Sequence, residues 1–294
     1  MSTMAKTIVA TGATSGIGFE AIKQLLFQSQ PYNYILGARD TKTATDAYNG
    51  LKYDTSKHKL TIVPLELNNM NSVKTFAQQT LEKLGASPID YLMLNAATAM
   101  TKKVAETGPH GSKWTEAYLV NHLSQHYLLH LLRPKLEQSK TRIVVVSSGA
   151  VRMVKDPSML EDEVLSAKDF GKMIYPATKF IQLLNAHWWR HQLQGVCEVV
   201  AVSPGLIPNT GLSRGADMPI AANLPDAKSV PEGAQSVLRA FTRDDLPEDQ
   251  EQIFLTSWGE WWPKDVYALT LDKSLQRKWS PSQEDIEKEE GVTA

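Results

Sequence analysis

Short apolar runs rich in branched residues alternate along the chain with longer segments in which apolar residues recur every three or four positions. The short runs predict β-strands and the longer segments predict amphipathic helices. Seven strands are predicted, at 6–11, 32–38, 60–66, 89–95, 141–147, 197–203 and 252–256. The main helices are predicted at 17–28, 70–84, 114–136, 174–194 and 231–241, the last with proline at its first position.

Strands that alternate with helices form a parallel sheet, and right-handed crossovers place the helices on both of its faces. The pattern therefore predicts an α/β protein with a doubly wound three-layer fold and a mostly parallel, about seven-stranded sheet. We expect a single domain over residues 1–294. In such a domain a ligand binds in the crevice outside the carboxyl ends of the strands.

Three segments depart from the alternation of strands and helices. Segments 149–173 and 206–229 each follow a strand whose carboxyl end faces the ligand crevice, so we expect them to form the walls of a substrate site. Segment 259–294 carries Trp261, Trp262 and Trp279. It can complete a pocket, cover the edge of the sheet or make a subunit contact, and packing of the tryptophans is the favoured role.

The composition narrows the class of partner. With 31 basic and 32 acidic residues and a net charge of −1, the chain lacks the positive field of a protein that binds nucleic acid or anionic membranes, so we expect a small-molecule partner. A single cysteine, Cys197, excludes an internal disulfide framework, and no stretch reaches the roughly 18 to 20 apolar residues of a membrane span. Residues 1–7 contain no apolar signal segment, and a cytoplasmic location is therefore expected.

A glycine-rich turn, Thr-Gly-Ala-Thr-Ser-Gly-Ile-Gly, follows the first predicted strand at 11–18. Glycine permits a tight bend and a close approach of backbone to phosphate, while the start of the next helix supplies unpaired N–H groups. The turn is predicted to bind a phosphate-bearing cofactor through Gly12, Thr14, Ser15, Gly16, Ile17 and Gly18. The alternative is a glycine-rich turn without a ligand.

Arg39 lies just past the second predicted strand, where a dinucleotide fold meets the adenosine ribose. An acidic residue there accepts a hydrogen bond from a 2′-hydroxyl group, whereas a guanidinium suits a 2′-phosphate. Ala38 occupies the position that favours a carboxylate, so NADP(H) is preferred over NAD(H). Asp40 weakens this preference, and the alternative is an exposed surface arginine.

Tyr175 and Lys179 lie four residues apart on a predicted helix, which places the phenol and the ammonium on one face, one turn apart. Asn121 and the pair Ser147-Ser148 precede them in the chain. Neighbouring side chains on a strand point to opposite faces, so the strand pattern alone leaves both serines as candidates.

These motifs resemble those of the short-chain dehydrogenase/reductase family, from about residue 6 to residue 241. The T-G-x-x-x-G-x-G pattern matches at 11–18 and the Y-x-x-x-K pattern matches at 175–179. Other motif positions of the family fall on Glu66-Leu67, Asn95-Ala96, Asn121, Ser148 and Pro204-Gly205. The family's Asn-Asn-Ala-Gly stretch is Leu-Asn-Ala-Ala here, at 94–97, so two of its four positions are altered. The stretch 204–214 is similar to the retinol-dehydrogenase-like branch, and fungal members are the most similar.

The resemblance implies a Rossmann-like fold and a catalytic set of Asn121, Ser148, Tyr175 and Lys179. By family position Ser148, and not Ser147, orients the substrate carbonyl, and Asn121 ties a water into a proton relay. Besides the glycine turn and Arg39, it assigns Glu66, Leu67, Asn95, Ala96, Tyr175, Lys179, Pro204, Gly205 and Thr210 to the cofactor. A tyrosine has an unperturbed pKa of about 10, and we expect the Lys179 ammonium, together with a cationic nicotinamide, to lower the pKa of Tyr175.

The implied function is an NADP(H)-dependent oxidoreductase that interconverts a ketone or aldehyde and an alcohol, with Tyr175 as acid and base. Apolar residues in the two wall segments favour a bulky apolar substrate of the secondary-metabolite type: Met153, Met159, Leu160, Phe170, Leu212 and Met218. One alternative is an isomerase, lyase or cyclase of the same fold without net redox chemistry. The other is a non-catalytic NADP-binding scaffold.

Histidines recur every four residues at 122, 126 and 130 and again at 187 and 191. Helical spacing of this kind can chelate zinc, but no companion acidic ligand accompanies it, so no metal is expected and a solvated or interhelical face is favoured. Members of the family commonly dimerise through the two helices concerned. The resemblance thus implies a homodimer or a homotetramer, with a pH-sensitive subunit interface as a further hypothesis.

Overall fold

The computed structural model describes residues 4–99, 108–166, 173–208, 210–213 and 227–293. Seven parallel strands form one sheet in the order β3-β2-β1-β4-β5-β6-β7. The strands are β1 Lys6–Thr11, β2 Tyr32–Ala38, β3 Lys59–Pro64, β4 Tyr91–Leu94, β5 Arg142–Val146, β6 Glu198–Val202 and β7 Phe254–Leu255. The doubly wound three-layer fold predicted from the sequence is confirmed, and the strand order reverses between β1 and β4, where such folds bind ligands.

The described helices cover both faces of the sheet. They are α1 Gly16–Leu26, α2 Thr41–Asn49, α3 Met70–Leu84, α4 Glu116–Tyr118, α5 Ser124–Ser139, α6 Leu160–Ser166, α7 Ile174–Gln192, α8 Val230–Thr242, α9 Lys273–Lys278 and α10 Gln283–Glu289. Residues of α3, α5 and α7 pack in one core, and residues of α1 and α8 pack in the other. Strand alternation divides the two cores, since Val9 faces the first while Ile8 and Ala10 face the second. No described helix is both long enough and apolar enough to cross a bilayer.

The nine-residue helix α2 was not among the predicted helices. It is mostly exposed and buries only Ala44 and Tyr48, so it presents almost no apolar stripe to recognise. Its signal is the N-cap, where the Asp40 carboxylate accepts a hydrogen bond from the Thr43 backbone N–H at 2.9 Å.

The long helix predicted at 114–136 is interrupted. Its α-helical parts, α4 and α5, are joined by a π-helical turn at Leu119–Leu123, which contains Asn121. Such turns inside α-helices often occur at functional sites. The last predicted strand, 252–256, is reduced to the two residues of β7.

The C-terminal segment packs on α5 and α7. A 3-10 helix at Lys264–Leu271 precedes α9 and α10, and a ring nitrogen of His122 lies 3.0 Å from the backbone oxygen of Trp279. His126 and His130 each place a ring nitrogen within hydrogen-bond distance of the Pro281 oxygen, at 2.8 and 3.2 Å.

These histidines therefore contact the chain's own C-terminal segment, and the hypothesis of a pH-sensitive subunit interface on these helices stays a prediction. The face of α5 that carries them is covered within one molecule. Among the described residues, no group of three or more His, Cys, Asp or Glu side chains is placed to hold a metal ion.

Candidate active site

The glycine turn between β1 and α1 leaves no space for side chains at two of its glycines. Gly12 has a φ of 63°, and a Cβ atom there would lie 2.5 Å from the Cα of Ala96. A Cβ at Gly18 would lie 2.2 Å from the Gly12 carbonyl oxygen. Both positions require glycine because the turn is pressed against the end of β4 and against itself.

Polar contacts join this turn to the segment after β4. The Thr11 hydroxyl accepts hydrogen bonds from the backbone N–H groups of Asn95 and Ala96, at 3.1 and 3.2 Å, and donates to the Gln125 side chain at 3.1 Å. The Asn95 amide donates to the Gly12 carbonyl at 2.7 Å. The Leu-Asn-Ala-Ala stretch, although altered at two positions, thus still connects the end of β4 to the glycine turn through hydrogen bonds.

The arrangement fits a dinucleotide. Helix α1 begins at Gly16 with no acidic residue in its first turn, and Thr14 and Ser15 are exposed beside its unpaired N–H groups. Thr210 lies over the turn, with its Cβ 3.6 Å from the position of a Cβ at Gly16. The segment after β6 therefore packs against the glycine turn at the start of α1.

The predicted ribose-binding position lies at the end of β2. Arg39 is exposed, and the structure gives it no ion pair with the described acidic residues. Asp40 is engaged as the N-cap of α2, where its hydrogen bonds to Thr43 lower the pKa of its carboxyl group. At the end of β3, Leu67 is buried and Glu66 is half-buried, its backbone N–H donating to the Ser72 hydroxyl at 2.9 Å.

Ser148 and Tyr175 meet across the crevice. A hydrogen bond between their side chains joins the end of β5 to the first turn of α7. The Ser148 hydroxyl also accepts from the Ala150 backbone N–H at 3.1 Å. Ser147 is buried on the other side of the strand end, and its hydroxyl has no hydrogen-bond partner among the described residues. The geometry thus distinguishes the two serines, which the strand pattern alone could not do.

Lys179 lies in the interior beneath Tyr175. It is 1% exposed, and its Nζ lies 5.9 Å from the centre of the Tyr175 ring. Nζ donates to the Val146 carbonyl at 2.9 Å and to Oε1 of Gln182 at 3.1 Å.

Asn121 is attached to the same helix through Thr178. Its Nδ2 donates to the Thr178 hydroxyl at 2.9 Å, and that hydroxyl donates to the Tyr175 carbonyl at 2.9 Å. Its amide also binds both backbone groups of Thr98, donating to the carbonyl at 2.9 Å and accepting from the N–H at 2.7 Å. The structure therefore brings together the four residues Asn121, Ser148, Tyr175 and Lys179.

The expected lowering of the pKa of Tyr175 is not found with these side chains alone. Burial raises the pKa of its phenol to about 12, and the hydrogen bond with Ser148 opposes that rise. Burial also lowers the pKa of Lys179 to about 7. Desolvation disfavours the charged form of each group. The expected lowering also depends on a cationic nicotinamide beside the phenol, and it stays a prediction for the protein with bound cofactor.

The loops after β5 and β6 are joined near the substrate side. The Ser203 hydroxyl accepts from the Gly149 backbone N–H at 2.9 Å. Pro204 is buried, and Gly205 has a φ of 94° that suits glycine. Of the six apolar residues expected to line a pocket, Leu160 is buried in the core and Met153 is 52% exposed, while Phe170 and Met218 lie outside the described residues.

Several residues of this site were missed in the sequence. Thr178 and Gln182 lie one position before and three positions after Lys179, and Gln125 lies four positions after Asn121. Helical spacing from a predicted catalytic residue was the only signal for Gln125 and Gln182, since amide side chains on a largely buried helix face have no sequence motif.

Comparisons with known proteins agree with these observations. A family model described as short chain dehydrogenase matches residues 6–159. A short-chain dehydrogenase/reductase of Pestalotiopsis microspora is 57% identical over 290 residues, which cover 97% of this chain and 99% of that protein. Retinol dehydrogenase 12 of Homo sapiens is 26% identical over 283 residues, covering 94% of this chain and 85% of that protein.

A solved structure, that of NADPH-bound carbonyl reductase from chicken fatty liver, superposes with a TM-score of 0.66 at 21% identity. The match covers 89% of this chain and 95% of that chain. At this level of identity the likeness bears on the fold alone.

Proposed function

The chain belongs to the short-chain dehydrogenase/reductase family, a family of oxidoreductases, and from this premise we propose that it is an NADP(H)-dependent enzyme that interconverts a carbonyl compound and an alcohol. The observation that carries the proposal is the contact between Ser148 and Tyr175 directly above the buried Lys179. A proton donor and a second hydroxyl that converge on one point suit the oxygen of a carbonyl group.

In this proposal the glycine turn and the start of α1 hold the pyrophosphate of NADP(H), and Arg39 holds its 2′-phosphate. Glu66, Leu67, Asn95, Ala96, Pro204, Gly205 and Thr210 complete the cofactor site. The bound nicotinamide supplies the hydride or receives it.

The chain's own residues handle the proton. Ser148 donates a hydrogen bond to the substrate oxygen and Tyr175 gives that oxygen its proton, which leaves a phenolate. The Lys179 ammonium stabilises this phenolate, and Asn121 fixes the start of α7 through Thr178.

The substrate proposed is a bulky, mainly apolar carbonyl compound. Met153 is exposed in the segment after β5, and Leu212 is half-buried in the segment after β6, so apolar groups stand on both walls. Good turnover of small polar carbonyl compounds without any turnover of large apolar ketones would contradict this substrate class.

The test is NADPH absorbance followed against a panel of carbonyl compounds with wild-type protein and Tyr175→Phe. We expect turnover by the wild type and a loss of about 10²-fold or more in Tyr175→Phe, because the variant keeps the ring but lacks the proton. Nucleotide binding without turnover of any substrate would instead favour a scaffold, and product formation without consumption of NADPH would favour an isomerase, lyase or cyclase.

A further inference from the structure

The buried ammonium of Lys179 has a side-chain partner in Gln182. Both residues lie on α7, three positions apart, and they are 1% and 4% exposed. Nζ of Lys179 donates to Oε1 of Gln182 at 3.1 Å and to the backbone oxygen of Val146 at 2.9 Å. These two acceptors fix the ammonium from two directions.

The partner determines which way the Gln182 amide faces. An ammonium offers only donors, so the amide oxygen must face Lys179 and the NH₂ group must point away from it. Nε2 has no hydrogen-bond partner among the described residues, and Gln182 borders a cavity of about 10 Å³, near the lower limit for one water molecule. Gln125, His126 and Asn185 supply polar groups to the wall of this cavity.

The titratable groups around Lys179 are few. Tyr175 lies one turn before Lys179 on α7. Ser148, at the end of β5, is connected to Lys179 only through its hydrogen bond with Tyr175. Across the cavity, α5 and the π-helical turn present His126 and His122, whose pKa values burial lowers, so that both are neutral near pH 7. No described carboxylate forms an ion pair with Lys179 within 4 Å.

Burial by itself favours the neutral amine, and it lowers the pKa of Lys179 to about 7. The uncharged oxygens of Gln182 and Val146 are thus the groups that favour the ammonium. A backbone oxygen cannot be changed by substitution, whereas the Gln182 oxygen can.

We propose that Gln182 is a positioning residue for Lys179: its amide oxygen orients the ammonium beside Tyr175 and favours the protonated lysine. The inference rests on the proposed function for its catalytic consequence, because only protonated Lys179 stabilises a Tyr175 phenolate.

The test compares three variants. Gln182→Met keeps the length of the side chain and removes the acceptor, and we expect the pKa of Lys179 to fall by about 1 to 2 units, the equivalent of one hydrogen bond to a charged group. Gln182→Glu places a carboxylate at the same distance, and the pKa of Lys179 is expected to rise. Asn185→Leu removes another buried amide from the same helix and the same cavity wall, without contact to Lys179, and should leave that pKa at the wild-type value.

The readout is an NMR titration of ¹³Cε-lysine resonances, with Lys179→Met used to assign the signal and thermal melting used to verify folding. In parallel, the decline of NADPH-dependent turnover at alkaline pH should begin at lower pH in Gln182→Met. If no carbonyl compound is turned over, the proposed function fails while the titration still tests Gln182. A Lys179 pKa that is the same in wild type, Gln182→Met and Gln182→Glu, or that shifts equally in Asn185→Leu, would overturn the proposal.

Discussion

At the scale of single residues, two neighbouring side chains at the end of β2 have different roles: Asp40 stabilises a helix, whereas Arg39 is proposed to bind the cofactor. Asp40 caps α2 through hydrogen bonds to the Thr43 backbone and hydroxyl, at 2.9 and 2.5 Å. Arg39, one position earlier, is exposed and forms no ion pair with a described carboxylate. Asp40, which in the sequence argued against a preference for NADP over NAD, is therefore engaged as the N-cap of α2.

Arg39→Ala should weaken NADPH binding while leaving NADH binding close to that of the wild type. A charge-assisted hydrogen bond to a phosphate is worth about 1.5 to 3 kcal/mol, so the dissociation constant for NADPH should rise by about 10- to 100-fold. Fluorescence titration with both cofactors measures the two constants. Asp40→Asn, which changes a charge at the next position but not the guanidinium, is the matched control, and equal weakening of both cofactors by Arg39→Ala would refute the assignment.

At the scale of elements, the start of α8 packs against the segments that form the proposed cofactor site. A Cβ at Gly233 would lie 2.7 Å from Ile207 in the segment after β6 and 2.9 Å from Ile17 in the glycine turn. The helix is thus packed against both walls of the crevice. Its first turn is fixed by a capping box, in which the Ser229 hydroxyl and the Glu232 carboxylate bind each other's backbone N–H groups.

Ser229→Ala should lower the free energy of unfolding by about 1 kcal/mol, the typical loss when an N-cap hydroxyl is removed. Ser229 is exposed, so no cavity adds to this loss. Urea denaturation monitored by circular dichroism measures the effect. Ser229→Asp retains a capping oxygen and should stay within a few tenths of a kcal/mol of the wild type. A loss of the same size in both variants would mean that the cap is not the cause.

At the scale of the whole molecule, the C-terminal segment packs on the rest of the protein against buried histidine side chains. His187 is fully buried on α7 against Tyr267, with ring centres 5.6 Å apart, and neither ring nitrogen has a hydrogen-bond partner among the described residues. Burial lowers the pKa values of His122 and His187 to about 3. Such groups make the attachment of the segment sensitive to acid.

The direction of this pH effect follows from the protonation of the histidines in the unfolded and the folded protein. In the unfolded chain these histidines bind a proton below a pKa of about 6.5, whereas in the folded protein they stay neutral down to about pH 3. Their contribution to stability is therefore complete above about pH 6.5 and is lost as the pH falls, by up to about 1.4 kcal/mol per pH unit for each histidine.

His187→Phe tests this contribution without removing a hydrogen bond. We expect the free energy of unfolding of this variant at pH 8 to be close to that of the wild type. Between pH 6.5 and pH 4.5 its free energy of unfolding should decrease less steeply than that of the wild type, by roughly 1 kcal/mol per pH unit, because one proton fewer is taken up on unfolding. Urea denaturation across this range gives the slopes, and the pH 8 values serve as the internal control. Identical slopes in the two proteins would exclude His187 as a contributor.

The sequence by itself determined the sheet and the glycine turn. The predicted bounds of β1, β2 and α3 agree with the structure, because buried strands and amphipathic helices are encoded in the local spacing of apolar residues. The glycine turn was recognisable from the sequence because its glycines lie within eight consecutive residues, although the close contact that excludes a side chain at Gly12 comes from Ala96 at the end of β4. The candidate set of Asn121, Ser148, Tyr175 and Lys179 came from motif resemblance.

Only the tertiary structure decided what depends on residues far apart in the chain. The hydrogen bond between Ser148 and Tyr175, the raised pKa of Tyr175 and the contact of His122 with the Trp279 backbone arise where separate elements meet. Helix α2 was missed because its apolar face is too narrow to give a periodic signal. Spacing along the chain specifies which face a side chain occupies, whereas its degree of burial and its partners are set by the element that packs against that face. Burial is what raises the pKa of Tyr175 and lowers the pKa of Lys179.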